Sequence, residues 1–405
     1  MTSFGDVLRH YRERRALTQD AAAGLVGVSR ATFTQWETNK HLPSLQRGHD
    51  LDQKLEAGGD LLRGLTEARA RSPRSRTVAS RPVVAEGPTL AQVRKRARQE
   101  LLGQMCFEDG QAVGWRHNLV ESPDPSSILP TTFGLGALAL LGGPDAHTPT
   151  VVDRMVKLGV LPDGTITGWK AQAQREPRFE TTSAAINSLW MAGVPLQVDE
   201  IVRVLTALLD QTAGERPFIL TLALEPLLRA APDHPFTAEV VSLLLDHRRD
   251  FGGTLLWPEK RVRRNQPRVE PSIAHNARAI IVLREAPADL VGDAVDSATD
   301  WLTQQTNLDG VTEVVRRAQP DGTVEELAFH HFTSALVVQA LAGADRPDHK
   351  AIERALIHVW ERYVPDIGLW AWGNGDVPVW LLVDAVVALQ AAAFASVTGP
   401  PPVSG

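Results

Sequence analysis

Cysteine is almost absent from these 405 residues: Cys106 stands alone, so neither an internal disulfide nor a Cys-rich zinc cluster can form. The first fifteen residues lack the apolar stretch of a secretory signal, and the expectation is a cytoplasmic protein. A long apolar run free of charge is also missing. The nearest to one, residues 377–397, carries Asp384 and Gln390 near its middle. An ionised Asp at mid-bilayer costs about 2.5–3.5 kcal/mol, so this stretch is expected to be a buried core helix, with no membrane as partner. With 43% hydrophobic and 22% charged residues, the composition excludes wholesale disorder, collagen-like structure and a multi-span membrane protein. At roughly 100–200 residues per domain, the length allows two to four domains, or one small domain beside a large one.

Lysine is scarce too, 7 residues against 35 arginines, and the charge is unevenly spread. Residues 1–100 hold 18 basic against 11 acidic side chains, a net of +7, whereas the remaining 305 residues carry a net of −13. The excess sits in residues 61–100, with 10 basic against 3 acidic, including Arg69, Arg71, Arg74, Arg76 and Arg81. A basic segment beside a small folded unit points to nucleic acid; a solvated linker in an Arg-rich chain is the other reading. Residues 63–87 are rich in Arg, Ser and Pro, have no apolar period, and read as a basic flexible linker.

Phe4, Val7, Leu8 and Tyr11 recur at helical spacing and predict a first helix running to about Arg15. Thr18 is an N-cap for a short second helix over residues 19–25, which Gly27 ends, and Ser29 caps a third over 30–38. Two short helices joined by Val26-Gly27-Val28 make a helix-turn-helix pattern. Leu17-Thr18-Gln19, the Ala22-Ala23 pair, Gly27-Val28-Ser29, Trp36-Glu37 and Pro43 resemble the phage-repressor, or xenobiotic-response-element (XRE), family of helix-turn-helix domains over residues 4–62. The resemblance implies double-stranded DNA as partner. It implies that Gln19 binds a phosphate, that the third helix lies in the major groove with Ser29, Arg30, Thr32 and Gln35 toward the DNA, and that Asn39 and Lys40 approach the backbone. A buried ion pair between Arg12 and Glu37 is also implied. Relatives usually have Glu and Leu where this chain has Ala21 and Ala22, and Gly where it has Asn39, which suggests looser packing. One such domain covers a single half-site, so a homodimer is expected. A helix-turn-helix reused for protein contacts is the alternative.

From about residue 88 a unit recurs: an amphipathic helix, a Gly-containing turn often with Asp-Gly and Trp, then a more uniformly apolar helix. The apolar members are expected at 127–141, 181–193, 217–230, 272–284, 332–344 and 382–393. Their one-striped partners are expected at 91–105, 151–161, 201–209, 240–245, 294–302 and 352–359. The expected fold is all-α: a helix-turn-helix domain at 1–62, the linker at 63–87, and a six-unit α/α toroid at 88–397, with an open solenoid as alternative. Asp109-Gly110 with Trp115, Asp163-Gly164 with Trp169, Gly252-Gly253 with Trp257, and Gly368 with Trp370 and Trp372 are similar to the repeat of the terpene-cyclase and protein-prenyltransferase superfamily.

The catalytic sets implied by that resemblance do not occur. There is no Asp-x-Asp-Asp to protonate an alkene, no Asp-Asp-xx-Asp to hold magnesium, no Cys-His zinc set, and no thioester run. The reading is therefore not an enzyme, without cofactor, metal or catalytic residues. His330-His331 is the most metal-like pair, but as helix neighbours they would point about 100° apart. His275 and His331 start two neighbouring apolar helices, and Trp370, Trp372 and Trp380 with Asp376 form an aromatic loop before the last. Together with Trp257 these are the candidate contacts for a small hydrophobic ligand. Glu259, Lys260, Glu270 and Arg278 are further charged groups near the fourth unit. The expected function is a sequence-specific transcriptional regulator whose catalytically silent toroid senses a small molecule or partner. A cyclase or transferase fused to a DNA-binding domain, or a protein-interaction scaffold, are the alternatives.

Overall fold

A computed structural model describes residues 3–26, 28, 30–39, 43, 51–52, 54–61, 63–65, 89–120, 125–171, 176–209, 214, 216–258, 270–306, 308, 311–318, 324–372 and 375–398. The chain is mostly helical and divides into two compact units, Met1–Thr89 and Leu90–Gly405. The expected linker falls, from residue 66 on, outside the described residues.

In the first unit α1 (Phe4–Arg14) starts at a capping box: Asp6 N donates to Ser3 Oγ and Ser3 N to Asp6 Oδ2, each at 3.2 Å. α2 (Gln19–Leu25) is capped by Thr18, whose hydroxyl accepts from Ala21 N at 3.1 Å. α3 (Arg30–Glu37) follows; its expected cap, Ser29, lies outside the described residues. Phe4, Leu8, Ala22, Ala23, Phe33 and Trp36 form the centre of a small core with Leu51, Leu55 and Leu61. α1 crosses the end of α3 so closely that a Cβ on Gly5 would lie 2.3 Å from the Glu37 carbonyl oxygen.

The second unit begins with α4 (Leu90–Gly103), the hairpin β1 (Cys106–Glu108) and β2 (Gln111–Gly114), α5 (Ile128–Leu140), α6 (Thr148–Gly159), α7 (Phe179–Met191) and α8 (Val198–Leu208). It continues with α9 (Pro217–Ala230), α10 (Pro235–Asp246), the hairpin β3 (Arg249–Asp250) and β4 (Leu255–Leu256), α11 (Ile273–Leu283), α12 (Ala288–Val291) and α13 (Ala294–Thr303). The hairpin β5 (Val311–Ala318) and β6 (Val324–His331), α14 (Thr333–Ala342), α15 (His349–Glu361), the hairpin β7 (Tyr363–Val364) and β8 (Leu369–Trp370), and α16 (Val379–Thr398) complete it. The chain is mostly helical, as expected, and among the described residues four antiparallel hairpins, each a separate two-stranded sheet, are added to the helices. The longest pairs eight residues in register, Val311 with His331 through Ala318 with Val324.

The uniformly apolar helices pack in a closed order: α5 on α7, α7 on α9, α9 on α11, α11 on α14, α14 on α16, and α16 back on α5. Five of the amphipathic helices lie outside this circuit, each against two other helices: α4 against α5 and α16, α8 against α7 and α9, α10 against α9 and α12, α13 against α11 and α14, and α15 against α14 and α16. Of these, only α10 takes a non-circuit helix as its second neighbour. Circuit helices are apolar on every side because they are covered on every side, whereas an outer helix buries one stripe. Among the described residues no helix is long and apolar enough to cross a membrane.

Candidate functional site

The sequence places a tryptophan after four of the outer helices, and all four share one geometry. Trp115, Trp169, Trp257 and Trp370 are fully buried, and each indole Nε1 donates to a carbonyl near the end of the preceding outer helix: Leu101, Met155, Leu244 and Val359, at 2.8, 2.8, 2.7 and 3.1 Å. These bonds pin each indole to the last turns of the helix before it. In three units the Trp backbone N–H is taken by a polar side chain in the first turns of the next circuit helix: Thr131, Thr182 and Asn276, at 3.2, 2.9 and 3.2 Å. Trp257 and Trp370, expected as ligand contacts, are thus helix-packing residues and do not line the cavity.

The circuit encloses a cavity of about 540 Å3, with walls from all six helices: Phe133, Asn187, Glu225, Arg278, Gln339 and Asp384 contribute one each. A second chamber of about 190 Å3 lies at the N-terminal turns, lined among others by His117, Arg178, Phe218, His331 and Trp380. Phe133, Leu222, Arg278 and Asp384 line both and form the waist where the two spaces meet. Arg278 Nη2 pairs with Glu225 Oε1 at 2.8 Å, Glu225 Oε2 accepts from Asn187 Nδ2 at 2.8 Å, and Asn187 Oδ1 accepts from Arg229 Nη1 at 2.8 Å. The Arg278 guanidinium also lies 5.6 Å from the centre of the Phe218 ring. Burial pushes the Asp384 carboxyl up to about 7, against the opposing pull of Arg278 and with a further push from Glu225.

Of the expected ligand contacts, His331 and Trp380 line the second chamber. The expectation that His330 and His331 sit on a helix is corrected: they end β6, where successive side chains point to opposite faces. His331 is buried, edge-on to Phe218 at 4.7 Å and to His275 at 5.5 Å, and His275 Nδ1 lies 2.9 Å from the Pro258 carbonyl. His330 stacks on Trp380, and Trp372 leans on both. The Arg362 guanidinium lies 4.7 Å from the Trp372 ring centre, an arrangement that holds Trp372 against the chamber wall. Burial lowers the His330 imidazole below its usual range, which favours its neutral form. Asp376 is exposed and accepts from Asn118 Nδ2 at 3.2 Å.

The waist residues escaped the sequence reading as a set. Asp384 was visible as the charge that interrupts an apolar helix, and Arg278 as a base near the fourth unit. A charged residue in an otherwise uniformly apolar circuit helix is the signal that finds both.

In the first unit Arg30 is exposed beside Asp20, their closest atoms 3.5 Å apart, Gln35 is exposed and Thr32 half-buried on the same helix. Lys40 lies outside the described residues. Arg12 Nε pairs with the buried Glu37 at 2.6 Å. Gln19, expected at a phosphate, donates to Glu37 Oε2 at 2.7 Å and accepts from Thr34 Oγ1 at 3.2 Å. Asn39 adopts φ +56, accepts from Gly5 N and donates to Ser3 Oγ, both at 2.8 Å. Asn39 therefore ties the end of α3 to the start of α1.

Residues 3–65 match the family described as a helix-turn-helix domain, and the N-terminal unit is a DNA-binding domain of that kind. No curated protein matches the chain. A crystal structure of a protein from Actinoplanes is similar at 18% identity and a TM-score of 0.49, over 75% of this chain and 99% of that chain.

Proposed function

We propose that the chain is an XRE-type transcriptional regulator whose second unit is a catalytically silent six-unit α/α toroid that senses a small, partly hydrophobic molecule. The observation that carries the reading is the cavity of about 540 Å3 inside the closed helix circuit, on a chain whose N-terminal unit is a helix-turn-helix domain. A cavity of this size suits a drug-sized ligand. The ligand acts by binding only one of the DNA-competent and DNA-incompetent forms, and its effect cannot exceed its differential affinity for them. The protein acts in the cytoplasm as a homodimer on a roughly palindromic site.

The test begins with genome-wide mapping of bound DNA, followed by titration of the operator it identifies. Arg30→Ala weakens operator binding by about 1–3 kcal/mol and relaxes sequence preference at one position. Gln19→Ala weakens all sequences, and because Gln19 also braces Glu37 it lowers the melting temperature of the first unit. Unchanged affinity in both variants sinks the DNA-reading assignment. Turnover of a prenyl diphosphate or a polyene by the purified protein would replace the sensor with an enzyme.

A further inference from the structure

The waist of the cavity carries two polar groups that the protein leaves unfinished. Arg278 spends Nη2 on Glu225, while its buried Nε–H finds no hydrogen-bond partner among the described residues. Both oxygens of Glu225 are engaged, one by Arg278 and one by Asn187. The Asp384 carboxyl faces the same space, and no donor among the described residues reaches it; Gln339 bonds only its backbone carbonyl, at 3.1 Å. A buried donor left unmet carries its full desolvation penalty, so a ligand that completes these groups gains more than its apolar contacts provide.

We propose that the waist binds the carboxylate of an apolar monocarboxylic acid, which accepts one hydrogen bond from Arg278 Nε and one from the protonated carboxyl of Asp384, with its apolar body in the larger chamber. This rests on the reading of the cavity as a ligand site and names its ligand class. An amine would satisfy Asp384 but leave the Arg278 N–H unmet and set a second positive charge beside the guanidinium. A carboxylate instead meets two donors and one fixed positive charge. Of the walls around Asp384, α11 contributes Arg278, α9 Glu225 and, at the outer end, Arg229, and α11 also Glu285 at that end. The second chamber adds His117, Arg178, Glu180, His330 and His331; α5 and α14 put no charged side chain into either space, and neither do α4 and α15. Burial holds the carboxyl protonated up to about 7, so the acid form is available at neutral pH and is lost above it.

The test is calorimetry on the full chain with decanoate, decan-1-ol and decylamine, each below its micelle concentration. Decanoate binds at least tenfold more tightly than either of the others. Its affinity falls roughly fivefold from pH 7 to pH 8, as a single proton held at Asp384 requires, and comparison of two buffers shows proton uptake at pH 8. Asp384→Asn, which keeps a neutral donor at the position, binds decanoate without that pH dependence. Arg278→Met loses at least tenfold, and if it fails to fold, Asp384→Asn alone decides. Equal binding of the three probes, preference for decylamine, a flat pH profile in the parent, loss of binding in Asp384→Asn, or no binding of decanoate each overturns the inference. Decanoate binding that leaves operator affinity unchanged sinks the sensor reading and leaves this inference standing; an operator response to decylamine alone does the reverse.

Discussion

Asp384 shows how one side chain sets a pH dependence for the unit around it. Its carboxyl titrates near 3.8 in the unfolded chain and about 7 in the folded one, because burial penalises the charged form. The folded state therefore binds more protons than the unfolded state between those values, and stability falls as pH rises through that window. Thermal unfolding is expected to show the second unit losing stability from pH 5 to pH 8. Asp384→Asn removes most of that slope and is more stable than the parent at pH 8 by on the order of 1–3 kcal/mol. Identical slopes in the two proteins would show that the carboxyl is hydrated rather than buried. In the first unit the same scale of reasoning separates Gln19 from Arg30. The first is held by Glu37 and Thr34, so its loss disturbs both fold and contact. The second, exposed beside Asp20, contributes little to stability, since exposed pairs are worth about 0–1 kcal/mol.

At the scale of elements, the repeated tryptophans need close approach from their neighbours. A Cβ on Gly159, at the end of α6, would lie 2.2 Å from Trp169 Cε2, and one on Gly134 of α5 would lie 2.2 Å from Trp115 Cε3. Both rings are fully buried and anchored through Nε1, so neither has room to yield. Gly159→Ala is expected to cost about 1–3 kcal/mol by overpacking, read as a lower midpoint in chemical denaturation. Gly103→Ala, at the end of α4 with nothing within 4 Å of the added carbon, is the control and is neutral or slightly stabilising. Equal effects at the two sites would remove the claim that the glycine exists for the tryptophan. The long hairpin had a legible signal that the repeat pattern overrode. Val311, Thr312, Val314 and Val315 are β-branched, and Pro320-Asp321-Gly322 is a turn sequence between them and Val324.

At the scale of the whole second unit, one residue fastens the ends of the circuit. Asn118 Oδ1 accepts from Val377 N at 2.9 Å and its Nδ2 donates to Asp376, across 259 and 258 residues of sequence. Leu119 N to the Val377 carbonyl, at 2.9 Å, and Val379 N to the His117 carbonyl, at 3.1 Å, complete the clasp. Asn118→Ala leaves the Val377 N–H unmet and is expected to cost about 1–3 kcal/mol. Hydrogen exchange should speed up in residues 363–372 and 375–379 while α9 and α11, on the far side of the circuit, stay as protected as in the parent. Uniform acceleration across all helices would mean that the clasp sets global stability rather than local closure.

Much was decided within the sequence. Helical periodicity, the cap at Thr18 and the spacing of apolar residues place α1 to α3, because these signals act over four residues or fewer. The alternation of one-striped and uniformly apolar helices likewise separates outer from circuit helices before any contact is known, since burial on all sides demands apolar residues on all sides. The waist was decided only by the tertiary structure. Glu225, Arg278 and Asp384 come from three helices up to 159 residues apart, and no local pattern links a charge on one helix to a charge on another. The roles of the tryptophans were decided there as well: the same Gly-turn-Trp spacing puts Trp370 inside the packing and leaves Trp372, two residues on, beside the chamber, because the strand ends at Trp370 and the chain then turns, with Trp372 N donating to the Asp376 carbonyl.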